Sequence, residues 1–160
     1  MKKKTNVYAI MGLVAVLCTI AAFLFPIGTG VNWTVGESVY PFCGYDFVFG
    51  NNASQIVANG FYICAFALLI IAVVFQILGT VFTLPNPTAS HKFSGFLHLL
   101  SAISMIVVAV FFFLATLLTS APNGSYVISL GYGFIAGGAA AAISAISSLG
   151  CFLLSFKKAE

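Results

Sequence analysis

Residues 56–83 read IVANGFYICAFALLIIAVVFQILGTVFT, with no acidic or basic side chain among them. A helix needs about 20 mostly apolar residues to cross the hydrocarbon core of a bilayer, and this stretch exceeds that. Three more stretches of the same kind follow from the sequence, at 7–27, 95–119 and 126–156. Together they predict four transmembrane helices. The chain has 160 residues, 61% of them hydrophobic and 6% charged. Globular domains carry about 25% charged residues, so the composition excludes an ordinary soluble domain. The length suits one membrane domain spanning 1–160.

The lysines fix the expected orientation. Lys2, Lys3 and Lys4 precede the first span, Lys92 lies between the second and third, and Lys157 and Lys158 follow the fourth. Arginine is absent, and the two remaining connections carry no lysine. Positive charge collects on the cytoplasmic side, so a multi-pass protein of the cell membrane with both termini in the cytoplasm is expected. The lysines read as orientation signals and contacts to anionic headgroups, with no basic stripe suited to nucleic acid. The basic start and apolar run of residues 1–27 resemble a signal peptide. The run is longer than the usual h-region of about 7–15 residues, which favours an uncleaved first span.

The expected architecture is an all-α, left-handed antiparallel four-helix bundle with a small β-rich outer loop at 28–55. Pro26 and Gly28 end the first helix. Val31, Trp33 and Val35 alternate with Asn32, Thr34 and Gly36, the period of a short strand. Tyr45, Phe47 and Phe49 predict a second strand with its aromatics on one side. Gly36, Glu37 and Ser38 are expected to turn, as are Pro41 and Gly44. A cap of two or three strands follows, with Trp33, Tyr45, Phe47 and Phe49 as its contact residues at the headgroup level or on the bundle. Pro85 and Pro87 predict a tight inner turn, and Pro122, Asn123 and Gly124 an outer one.

Within the spans, the fourth carries the clearest pattern. Gly133, Gly137, Ala141 and Ala145 recur every four residues and share a helix face, beside Ala136, Ala140, Ser144 and Ser148. Small residues in such a row let another backbone approach closely, either a neighbour in the same bundle or a partner's helix. His98 is the ionisable side chain set well inside a span, and intramembrane ionisable groups often mark function. With His91 seven residues earlier it makes a poor metal site, because no carboxylate or cysteine stands at ligand spacing. Gln76, Ser101, Ser104 and Thr116 are candidates for interhelical hydrogen bonds. Asn59 is placed to cap the second span or bond across to the loop.

Several classes of chemistry are not supported. The spans contain no Asp or Glu, which argues against a carboxylate-coupled transporter. No Cys-x-x-Cys occurs, and Cys43 is the one cysteine in an outer loop, so no disulfide framework is implied. Arginine, needed to clamp an anionic cofactor, is missing, and no serine, histidine and acid can meet at the membrane surface. His98 as a base acting on lipid would lack an orienting acid. Asn32, Asn52 and Asn123 begin Asn-x-Ser/Thr triplets in outer connections and are glycan acceptors if the cell glycosylates, whereas Asn86 is excluded by Pro87.

The layout resembles the claudin-like tetraspan proteins: four helices, cytoplasmic ends, a larger β-rich first outer loop and a short second one. Of that family's outer-loop pattern the chain has Trp33 and Cys43, and lacks the Gly-Leu-Trp and the second cysteine. The resemblance therefore implies shape alone. The functional expectation is a non-enzymatic structural or accessory subunit, without cofactor. It would work through helix packing and outer-loop contacts with another membrane protein or further copies of itself. The alternative is a transporter or channel component for a neutral small solute, lined by Gln76, His98 and the hydroxyls.

Overall fold

The structure, a computed structural model, describes residues 2–82, 91–119 and 126–156. The turns expected at Pro85 and Pro87 and at Pro122, Asn123 and Gly124 lie outside the described residues, as do Lys157 and Lys158. Four helices are long and apolar enough to cross a membrane. They are α1 (Lys2–Leu24), α3 (Gly60–Val81), α4 (His91–Phe113) and α6 (Tyr132–Phe156). The short helices α2 (Asp46–Phe49) and α5 (Ala115–Leu118) and the strands β1 (Thr29–Val35), β2 (Ser38–Cys43) and β3 (Val127–Leu130) lie between them.

Local chemistry sets the helix ends. Pro26 sits inside a 3-10 turn, Phe25–Ile27, that closes α1, and the Gly28 N–H returns to the Phe25 carbonyl at 2.9 Å. Pro26 cannot donate the hydrogen bond that would continue the α-helix. Asn59 caps α3: its side-chain oxygen accepts from the Phe61 N–H at 2.9 Å, and its amide donates to the Leu118 carbonyl at 2.8 Å. The cap thus starts α3 four residues later than the apolar run suggests, because residues 56–58 belong to the loop. The expected third span is also shifted. It begins at His91, breaks at Leu114 and resumes as α5, which ends at Leu118.

The cap departs from the sequence expectation at residues 45–49, at Pro41 and at residues 127–130. Residues 45–49 form α2 and the turn before it rather than a strand. Asp46 explains this, because its carboxylate accepts from the Cys43 N–H at 2.9 Å and from the Asn51 amide at 3.0 Å. Those bonds fold the chain back after β2. The second strand is instead Ser38–Cys43, with Pro41 inside it. A proline is tolerated there because β2 is the edge of the sheet, which has the order β2-β1-β3 with antiparallel pairs. The third strand comes from residues expected to open the fourth span. Residues 127–130 pair with β1, placing Ile128 and Tyr40 on either side of Trp33, and α6 begins only at Tyr132. Gly36, with φ +58, makes the tight turn between β1 and β2.

Aromatic rings join cap and helices. Phe112 and Phe134 stack with centroids 4.9 Å apart, and Tyr62 stacks on Phe134 at 5.4 Å. Phe47 continues onto Tyr62 at 5.4 Å, and Trp33 contacts Phe42 at 4.6 Å and Tyr126 at 5.6 Å. Among the long helices, α6 packs chiefly on α4 and α1, α3 packs on α4, and the α1–α3 contact is thinner. Ile10, Leu13, Ile70, Ile77, Ile103, Ile143 and Ile146 point outward and leave the helices with aliphatic outer faces.

Candidate functional site

The buried polar side chains of the long helices gather chiefly at two places. The first is a node where α1, α3 and α6 meet. Thr19, Gln76, Ser144 and Ser148 are fully buried there. The Gln76 amide donates to the Ser144 hydroxyl at 2.8 Å and to the Ser148 hydroxyl at 3.2 Å. Its carbonyl accepts from the Thr19 hydroxyl at 2.8 Å. Ser144 in turn donates to the Ala15 carbonyl at 3.0 Å and lies 2.6 Å from the Thr19 hydroxyl. A buried amide left unpaired would be costly, and here three helices satisfy it. Thr19 was not among the candidates read from the sequence. Its signal is faint: one threonine in the apolar run 9–27.

The second place surrounds His98. The imidazole is 0% exposed and lies edge-on to the Tyr8 ring with centroids 5.6 Å apart. Neither ring nitrogen has a hydrogen-bond partner among the described residues. The Tyr8 hydroxyl bonds instead to the Ser94 hydroxyl at 2.6 Å. A Cβ at Gly79 would lie 2.9 Å from His98 Nε2, so the ring fills the space left by that glycine. His98 stands seven residues, two turns, into α4, and the side chain of His91 is not among those described. Gln76 and His98 therefore belong to separate clusters. Ser101 bonds across to the Ala72 carbonyl at 3.3 Å, while Ser104 bonds within its own helix to the Leu100 carbonyl at 3.1 Å. A third link, found by no sequence signal, runs from the Tyr62 hydroxyl to the Thr119 hydroxyl at 2.6 Å and the Ala115 carbonyl at 3.0 Å.

The small-residue row of α6 faces the interior of the chain. A Cβ at Gly133 would meet the Phe25 carbonyl oxygen at 2.5 Å and the Thr29 carbonyl oxygen at 2.9 Å. At Gly137 it would meet the Phe112 ring at 3.0 Å. Ala141 and Ala145 are buried in the same core.

The four cap aromatics part company. Trp33 and Phe47 are buried, Tyr45 is half-buried, and Phe49 is 70% exposed. The Trp33 indole N–H has no partner among the described residues. The Tyr45 hydroxyl donates to the Phe23 carbonyl, and burial pushes its pKa up to about 12. Asn32 is half-buried in the central strand, Asn52 is exposed on a 3-10 turn, and Asn123 lies outside the described residues. Cys18, Cys43, Cys64 and Cys151 are all free, and the Cys43 thiol donates to the Pro26 carbonyl at 3.1 Å. The described residues hold no group of three or more His, Cys, Asp or Glu placed to bind a metal ion. Compared with known proteins, the chain matches no family model, and no curated protein matches it.

Proposed function

We propose that this chain is a non-enzymatic four-pass protein of the cell membrane, acting as a structural or accessory subunit. Its helices form an antiparallel bundle with both termini cytoplasmic, and the β cap is the outer surface offered to a partner. The single observation that carries the functional reading is the saturation of Gln76. Its amide and the hydroxyls of Thr19, Ser144 and Ser148 bond one another, so the polar centre of the bundle joins helices and offers no free group to a passing solute. The antiparallel arrangement draws support from contacts at both ends. Tyr8 near the start of α1 reaches Ser94 near the start of α4, and Ser94 reaches the Gly79 carbonyl near the end of α3. The start of α6 meets the end of α1 at Gly133. Lys92 lies on the same side as the first group, in accord with cytoplasmic lysines.

The reading is tested by gentle extraction of the tagged protein from its native membrane and mass spectrometry of what accompanies it. A stoichiometric membrane partner is expected. Recovery of the chain without any partner, together with solute flux in liposomes, would instead favour the transporter reading, whose best support is the His98 imidazole, which has no hydrogen-bond partner among the described residues.

A further inference from the structure

Phe49 is the most exposed aromatic ring of the described residues, yet it does not stand clear of the helices. Its ring meets Phe66 with centroids 5.6 Å apart and Tyr45 at 6.1 Å. Phe66 in turn meets Phe23 of α1 at 5.2 Å and Tyr45 at 5.6 Å. The Phe23–Phe66 contact joins α1 to α3, whose packing on each other is thin.

Their depth is informative. Phe66 is the seventh residue of α3, so its Cα lies about 9 Å along the axis from Gly60 at a rise of about 1.5 Å per residue. Its ring leans back toward the start of the helix, as helical side chains do, but the contact remains within the apolar span. On Phe66's side of α3, Ile63 and Ile70 are both exposed, at the i−3 and i+4 positions of one stripe. Phe49 therefore extends an outward-facing aliphatic stripe. Phe23, Tyr45, Phe49, Ile63, Phe66 and Ile70 include no charged side chain.

The backbone of the segment is equipped for the same environment. Irregular chain at membrane depth must have its polar groups satisfied within the protein. The Gly44 N–H donates to the Pro26 carbonyl at 2.8 Å, the Phe49 N–H to the Tyr45 carbonyl at 2.9 Å, and the Asn59 N–H to the Phe47 carbonyl at 2.7 Å. Both Asp46 carboxylate oxygens are engaged by Cys43 and Asn51.

We propose that α2 dips into the outer-facing leaflet and that Phe49 packs against lipid acyl chains. The inference rests on the membrane-spanning reading of α1 and α3. Trp33 is the one tryptophan of the chain, which makes the test direct. Trp33→Phe combined with Phe49→Trp places a single reporter at the site, and Trp33→Phe combined with Ile70→Trp places one on the middle of the same stripe. Each is reconstituted in liposomes with acyl-brominated lipid and, separately, exposed to aqueous iodide. The expected result is that both reporters lose most of their emission to brominated lipid and little to iodide. If the reporter at 70 is quenched by brominated lipid and that at 49 by iodide only, this proposal fails and the membrane reading stands. If neither responds to brominated lipid, the membrane reading fails with it. A reporter at 49 shielded from both quenchers marks a protein contact there, with a second copy or a partner, and also overturns the proposal. Should Trp33→Phe prevent folding, the same quenching is read as the difference between Phe49→Trp with Trp33 retained and the unaltered protein.

Discussion

The side-chain amide of Gln76 on α3 donates to the hydroxyl of Ser144 on α6 at 2.8 Å, in a region with no access to solvent. Lipid tails are as apolar as leucine, so hydrophobic burial does little to hold helices together inside a bilayer. Interhelical bonds there contribute roughly 0.6–2 kcal/mol each. Gln76→Leu removes three such bonds, and the Thr19 and Ser144 hydroxyls can fall back on the Ala15 carbonyl. The expected loss is about 2 kcal/mol, read by denaturant unfolding in detergent or bicelles. Ser144→Ala should cost less, because Gln76 keeps Ser148 and Thr19. In the Gln76→Leu background Ser144→Ala should cost still less, since the shared bond is already gone.

The two glycines at the head of the α6 row should differ in tolerance. A methyl group at Gly133 would strike two backbone carbonyl oxygens, which cannot move aside without displacing the end of α1 and the start of β1. At Gly137 the obstacle is the Phe112 ring, which can shift. Gly133→Ala is therefore expected to cost about 3 kcal/mol or to block folding, and Gly137→Ala about 1 kcal/mol. Thermal unfolding in detergent ranks the pair. Equal effects would mean that α6 does not approach the end of α1 so closely.

How much of the fold is legible in the sequence depends on the kind of signal. Four apolar runs locate the long helices because length and hydropathy act residue by residue. The identity of the third strand was not legible. Val127, Ile128, Ser129 and Leu130 are as apolar as a span, and only pairing with β1, almost a hundred residues away in sequence, makes them a strand. The fate of residues 45–49 turned on Asp46, whose carboxylate folds the chain back, while alternating aromatics fit strand and short helix alike. Gln76 stood out as a polar group in a span. Its partner Thr19 did not, because a threonine that bonds its own helix looks the same in sequence as one that bonds another.

Gly79 and His98 form a coupled pair. The imidazole occupies the space a side chain at 79 would need, with Nε2 2.9 Å from the position of a Cβ. Gly79→Ala should destabilise the protein by about 1–3 kcal/mol through overpacking. In a His98→Ala background the same substitution should cost less, because the ring is gone and only the Ser94 carbonyl oxygen, 3.3 Å from the Cβ position, remains close. Additive costs in the double variant would show that the ring does not press on Gly79.

The orientation carries its own test. The turn at Gly36 and Glu37 links β1 to β2 at the exposed end of the sheet, where an inserted epitope disturbs no buried contact. On the proposed topology an epitope placed between these two residues is reached by antibody on intact cells. One placed directly before Lys92 is reached only after the membrane is permeabilised. The positive-inside rule predicts this because the lysines flank the spans on one side only. The insertion at Gly36 also reports on the cap, since it should leave the Trp33, Phe42 and Tyr126 cluster intact and with it the emission of Trp33. Labelling of both sites on intact cells would overturn the four-pass topology. Labelling of the Lys92 site alone would keep the four spans and reverse their direction.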